Sequence, residues 1–188
     1  MSTMLKSGWF WLLIALGIFW SLGAYNRLVR LRAAIGAQFI SLESVLLQYQ
    51  EVVQQAVSAA STSPQLWGSA YLAELEVDPW TRLQVSAGLL TVAMSRMQSH
   101  PLEPDSTQAL QDAGAELQLA WAGLIHPDAF YVNVPEALQQ RWLALDMLVQ
   151  PEVQRFNASI TDYNHAIAQY PAALLAKLFQ FHPARPLA

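Results

Sequence analysis

A run of twenty residues without a charged side chain, Ser7 to Asn26 (SGWFWLLIALGIFWSLGAYN), constrains this chain more than any other feature. A helix needs about 20 predominantly apolar residues to cross a hydrocarbon core about 30 Å thick, and this run has that length and composition. Trp9 and Trp11 stand near one end and Trp20 and Tyr25 near the other, where the two interfaces of a bilayer hold amphipathic rings. A cleaved signal peptide is the competing reading, and Lys6 suits its basic leading region. Against it, Leu22 and Ala24 make a poor small-x-small cleavage site, and the helical pattern runs on without a break through Tyr25. The expectation is a retained transmembrane helix over residues 7–26, preceded by a short tail, 1–6. Arg27, Arg30 and Arg32 follow the span, whereas Lys6 and the amino terminus precede it. The positive-inside rule therefore directs the following domain to the cytoplasm, by a difference narrow enough to leave a periplasmic domain as the alternative.

The 188 residues suit one domain plus this anchor. With 54% hydrophobic and 13% charged residues the chain is too apolar to be disordered over most of its length. The absence of cysteine removes disulfide frameworks, thiolate metal sites and cysteine nucleophiles. Beyond Arg32 there are six basic against fourteen acidic residues, a net charge of −8, which argues against a nucleic-acid or anionic-lipid binding face.

Four stretches after the span repeat apolar residues at alternating steps of three and four, the mark of helices packed at a shallow angle. The first reads Leu28, Leu31, Ile35, Leu42, Val45, Tyr49, Val52, Ala56, with Gln38 filling one slot and Phe39 beside it. No proline separates it from the anchor, so a single helix from residue 8 to about 60 is expected. The second opens at Asp78-Pro79, a capping residue before a proline at the first helical position, and runs Trp80, Leu83, Ala87, Leu90, Met94, Met97 to a stop at His100-Pro101. The third follows Pro104 and reads Leu110, Ala113, Leu117, Ala120, Leu124, with small residues such as Gly114 and Ala115 inviting a close partner helix. The fourth starts at Pro135 and reads Leu138, Trp142, Leu145, Val149, Val153, Phe156, Ile160, Tyr163, Ile167, Tyr170, with a kink or break expected at Pro151. Short connections favour antiparallel neighbours. The expected fold is therefore all-α: an N-terminal transmembrane helix continuing into an antiparallel up-and-down four-helix bundle over 27–181. Residues 61–77 form a linker with one irregular turn, AALLAKLFQF after Pro171 forms a last short helix, and 182–188 is a tail.

No catalytic, cofactor or metal site is legible. His100, His126, His165 and His182 are scattered, and the Asp162–His165 pair on one helical face reads as a solvated contact rather than half of a metal site. Glu74, Glu76 and Asp78 read as loop and cap residues. No nucleophile elbow, phosphate-binding loop or dinucleotide fingerprint occurs. Trp80 and Trp142 fall on core seams, whereas Trp67 and Trp121 have no such assignment. The most informative pattern is the pair Phe156-Asn157 and Tyr163-Asn164, seven residues or two helical turns apart and echoed by Tyr25-Asn26. Amides beside an apolar seam typically fix the register of neighbouring helices.

These residues also carry a likeness. Tyr25-Asn26-Arg27-Leu28-Val29-Arg30-Leu31-Arg32 directly after a membrane helix, together with Arg155-Phe156-Asn157, Tyr163-Asn164, Tyr170-Pro171 and the closing Ala176-Lys177-Leu178-Phe179-Gln180-Phe181, resembles the LemA family of bacterial membrane proteins. The likeness covers about sixty residues at the two ends of the chain. Leu47 to Gln55 departs from the family's basic, proline-containing stretch, and residues 60–140 diverge. The resemblance implies a helical bundle anchored in the bacterial inner membrane, with no reaction and no cofactor attached to it. The expected role is a non-enzymatic interaction protein that binds another membrane protein or itself. A ligand- or lipid-binding, stress-sensing module is the alternative. An apolar pocket lined by Trp121 and Trp142 would favour that alternative, and a solid core with an exposed apolar patch would favour the interaction role.

Overall fold

The computed structural model of the chain describes residues 2–62, 78–125, 134–170 and 172–188. Trp67, Glu74, Glu76, His126, Pro171 and most of the 61–77 linker lie outside the described residues. All regular structure among the described residues is helical: α1 (Ser2–Thr62), α2 (Pro79–Ser99), α3 (Pro104–Ile125), α4 (Glu136–Ala168) and α5 (Ala172–Leu178).

The 61 residues of α1 are one uninterrupted helix, about 90 Å long at 1.5 Å per residue. Its N-terminal half is long and apolar enough to cross a membrane. There it buries little, with Trp9 67% and Phe19 78% exposed. From Leu28 onward the helix changes character, and Leu28, Ile35, Phe39, Leu42, Tyr49, Val52 and Ala56 are all buried. Phe39 takes the slot that the spacing gave to Gln38, because a stripe of period 3.6 drifts off a strict heptad over so long a helix.

α1 lies along α4, the two running antiparallel: Phe39 meets Phe156 at one level, and Tyr49 meets Trp142 at the next. α2 and α3 form an antiparallel hairpin, crossed at one end by Arg82–Glu116 and at the other by Arg96–Asp105. The hairpin attaches to α1 through α2, where the amide of Gln50 donates to Thr91 Oγ1 at 2.6 Å. Asp78 caps α2 by accepting the Thr81 amide at 3.0 Å, with Pro79 at the first position, where no donor is lost. All these helices bury their inward residues in one continuous core.

α4 runs through Pro151 without a break, so of the kink or break expected there the break does not occur. The bond that proline cannot make is to the carbonyl of Met147, whose side chain is 79% exposed, so that turn faces solvent and the freed acceptor is open to hydration. Packing of α4 on α1 on both sides of the proline holds the helix through the defect. Pro151→Ala should accordingly raise stability by about 1–3 kcal/mol, read as an upward shift of the urea midpoint. An unchanged or lowered midpoint would show that the ring itself is needed for packing. Tyr170 also departs from expectation. It lies past the end of α4 and is 73% exposed, so it does not extend the seam.

Candidate functional site

The backbones of α3 and α4 stay apart: among the described residues no Cα of one lies within 8 Å of a Cα of the other. Gly114 and Ala115 therefore do not draw α4 close, the helix that does pack closely on α3 being α2, and a side chain built on Gly114 would meet open space. Instead the seam between the two helices is propped at both ends and open between them.

The prop farther from the N-terminal apolar run is aromatic and polar. Trp121 and Trp142 stack with centroids 4.1 Å apart and planes 4° from parallel, and Tyr49 meets Trp142 edge-on at 4.7 Å. The indole of Trp142 donates to Gln118 Oε1 at 3.1 Å, and Gln118 in turn donates to Asp146 Oδ1 at 2.9 Å. The Tyr49 hydroxyl donates to the same Asp146 oxygen at 2.6 Å. Burial, followed by the adjacent Asp146 carboxylate, pushes the Tyr49 pKa well above its usual 10.0; burial also raises that of Tyr163, against the opposing pull of Arg32. A folded-state pKa raised above the unfolded value contributes stability that is fully present below about pH 10 and is lost as pH climbs through the folded value. Absorbance at the phenolate band should therefore show Tyr49 and Tyr163 ionising only together with alkaline unfolding. Titration of all six tyrosines in one unperturbed step would contradict this geometry.

The prop nearer the N-terminal apolar run is the segment 182–188. Residues 182–188 pack onto α4, contrary to their expected status as a tail outside the bundle, with Ala184 and Leu187 only 5% and 8% exposed. The Asn164 amide pairs both ways with Ala184, donating to its carbonyl at 2.8 Å and accepting its N–H at 2.9 Å. Asn157 does the same with Leu187, at 2.7 and 2.8 Å. Tyr163 Oη donates to the His182 carbonyl at 3.2 Å. The two asparagines thus hold a backbone segment; they do not set the register of a neighbouring helix as the sequence reading expected. The spacing explains the match. Two helical turns advance about 10.5 Å, and three residues of an extended, proline-fixed strand advance about 9 Å, so residues 157 and 164 meet residues 187 and 184. Pro183 and Pro186, each directly before a paired residue, fix the local backbone and have no N–H to leave unsatisfied.

Between the props lies a groove of about 560 Å³. Its walls are apolar, with Leu42, Leu46, Leu117, Val149 and Val153 among them, and Leu187 and Ala188 close one end. Trp121 and Trp142 do not line it.

The residues singled out from the sequence converge only in part. Phe156 is fully buried against Phe39, whereas Arg155 is exposed and pairs with Glu152. Tyr25 packs on Phe179 at 5.5 Å, and Asn26 is exposed. His165 lies 3.4 Å from the Gln169 amide, one turn on, with no ion pair to Asp162 among the described residues. No group of three metal-ligating side chains occurs among the described residues. Comparison with protein-family models, with curated proteins and with solved structures finds no match to this chain.

Proposed function

We propose that the chain is a membrane-anchored, non-enzymatic interaction protein whose binding surface is the open α3–α4 seam, and that its partner is an extended peptide segment of another membrane protein. One observation carries this reading. The seam already binds an extended segment, its own residues 182–187, through paired backbone hydrogen bonds to Asn157 and Asn164, and the apolar groove continues directly from the end of that segment. Backbone pairing with apolar side pockets is how extended peptides are generally recognised.

In this reading residues 7–26 remain as a single-pass anchor and the helices beyond form an up-and-down four-helix bundle with one seam wedged open. Contacts of the domain with the end of the apolar run, Trp20 with Tyr170 and Tyr25 with Phe179, support a retained anchor over a removed leader. Arg27, Arg30 and Arg32 favour a cytoplasmic domain on the bacterial inner membrane. The LemA-like residues fit as well, since Asn157, Asn164 and the closing Ala176–Phe181 build and lead into the wedge.

A second reading, a small apolar molecule or lipid chain in the groove, is favoured by the groove's volume and apolar walls. Photo-crosslinking residues at Gln111 and Val149, with Val92 on the outer face of α2 as control, distinguish the two in intact membranes. A discrete protein adduct at the first two positions and none at Val92 is the expected result. Adducts of lipid or small-molecule mass would establish the second reading, and no adduct at either position would reject both.

A further inference from the structure

We propose that α5 and the basic residues beside it form a second membrane contact, a surface that seats on anionic phospholipid headgroups; the proposal rests on the reading of α1 as a membrane anchor. α5 is two-faced. Ala172 and Ala176 are 6% exposed against the core, while Leu174 and Leu178 are 58% and 74% exposed on the other side, and Phe179, just past the helix, keeps 52% of its surface exposed where it leans on Tyr25. Tyr170, just before the helix, extends this face. Four large apolar side chains gathered on so short a segment are more than the isolated exposures usual on a soluble surface.

The position of this face says what covers it. Tyr170 packs on Trp20 at 5.8 Å and Phe179 on Tyr25 at 5.5 Å, so α5 lies level with the end of the apolar run, where that run meets the headgroups. A cleft of about 300 Å³ opens there between Phe19, Trp20, Arg27 and Tyr170, with aromatic walls and one guanidinium. Charge follows the same arrangement. Residues 1–42 and 163–188 contain no aspartate or glutamate, yet they carry Arg27, Arg30, Arg32, Lys177 and Arg185. Among the described residues none of these five forms an ion pair. The nearest acids on the adjoining α2–α3 turn are Glu103 and Asp105, the latter paired with Arg96 at 3.7 Å. The net charge of −8 beyond Arg32 thus conceals a segregation along the chain: every acid falls between Glu43 and Asp162, the latter on α4 at the level of Arg32, and the two segments that meet at the end of the apolar run carry only basic residues. A short apolar face rimmed by Lys and Arg is the composition of an interfacial element on an anionic leaflet.

Because the chain has no cysteine, Leu174→Cys can carry an environment-sensitive fluorophore in the otherwise intact protein, with Ile14→Cys and Val92→Cys labelled in parallel. Each is reconstituted into phosphatidylcholine vesicles with and without phosphatidylglycerol, some of the lipid bearing a quencher just below the headgroup. The expected result is a blue-shifted Leu174 label quenched by lipid, more strongly with phosphatidylglycerol, and a Val92 label in water. Arg30→Glu with Lys177→Glu should abolish the phosphatidylglycerol enhancement. An aqueous, unquenched Leu174 label beside a quenched Ile14 label overturns the proposal and leaves the anchor standing. An unquenched Ile14 label overturns the anchor and the proposal with it. A blue-shifted Leu174 label that lipid does not quench means that protein covers the face, which also overturns it.

Discussion

Trp142→Ala should lower the free energy of unfolding by about 4 kcal/mol, the largest loss expected of any single substitution in the domain. The indole is 2% exposed, stacks on Trp121, meets Tyr49 edge-on and donates to Gln118. Removing it leaves a cavity where no backbone can close in, because α3 and α4 are too far apart to collapse onto each other. A domain of ordinary stability, about 5–15 kcal/mol, would lose a large part of its margin. Trp142→Phe keeps most of the volume and should recover roughly half of the loss while abolishing the near-ultraviolet signature of two stacked indoles. Urea unfolding of the detergent-solubilised chain measures both. A loss below about 1 kcal/mol for the alanine variant would mean that the aromatic prop does not hold the seam.

Replacing Asn157 and Asn164 together by leucine should cost about 3 kcal/mol, from four backbone-paired hydrogen bonds at about 0.5–1.5 kcal/mol each less the freedom regained by the released segment. For a domain of this size that is a drop of about 6–12 °C in melting temperature. Residues 182–188 should at the same time become open to carboxypeptidase. A register role for the two amides makes the opposite forecast, an unchanged or higher melting temperature with looser helix packing. The sign of the shift therefore decides between them. A cycle with a chain lacking residues 182–188 sharpens the result: without the segment, the double substitution should be nearly neutral.

The helices could be read from the chain because their signals are local. Asp78-Pro79 and His100-Pro101 mark both ends of α2, and Leu110, Ala113, Leu117, Ala120 and Leu124 are each buried as their spacing required. The open seam was not legible. Small residues on α3 say that a neighbour can come close, but not that bulky Trp121 and Trp142 one level away hold it off. The polar bridge through Asp146 joins residues 97 and 28 positions apart in sequence, and nothing local announces such a pairing, although an aspartate inside Leu143-Ala144-Leu145-Asp146-Met147-Leu148-Val149 is a sign that a partner exists. The asparagine clasp left a trace of its own, the seven-residue interval on α4 beside the three-residue interval of Ala184 and Leu187, each directly after a proline. Hydrophobic periodicity passes over that trace because the contact is made by backbone.

The pairing of α1 with α4 also sets an order of events during synthesis. α2 and α3 are joined by a turn of a few residues and can close as soon as both are made, whereas the stripe from Leu28 to Ala56 must wait for α4 to be completed at Ala168. At about 5–20 residues per second, the 106 residues from Thr62 to Ala168 take roughly 5–20 s to appear. If the apolar run is held in the bilayer as proposed, the α1 stripe is covered for that interval only where the α2–α3 hairpin reaches it. Newly made copies sharing one patch of bilayer would be able to join through these stripes before either acquires its own α4, so the yield of correctly closed protein should fall as the rate of synthesis rises and recover when translation is slowed.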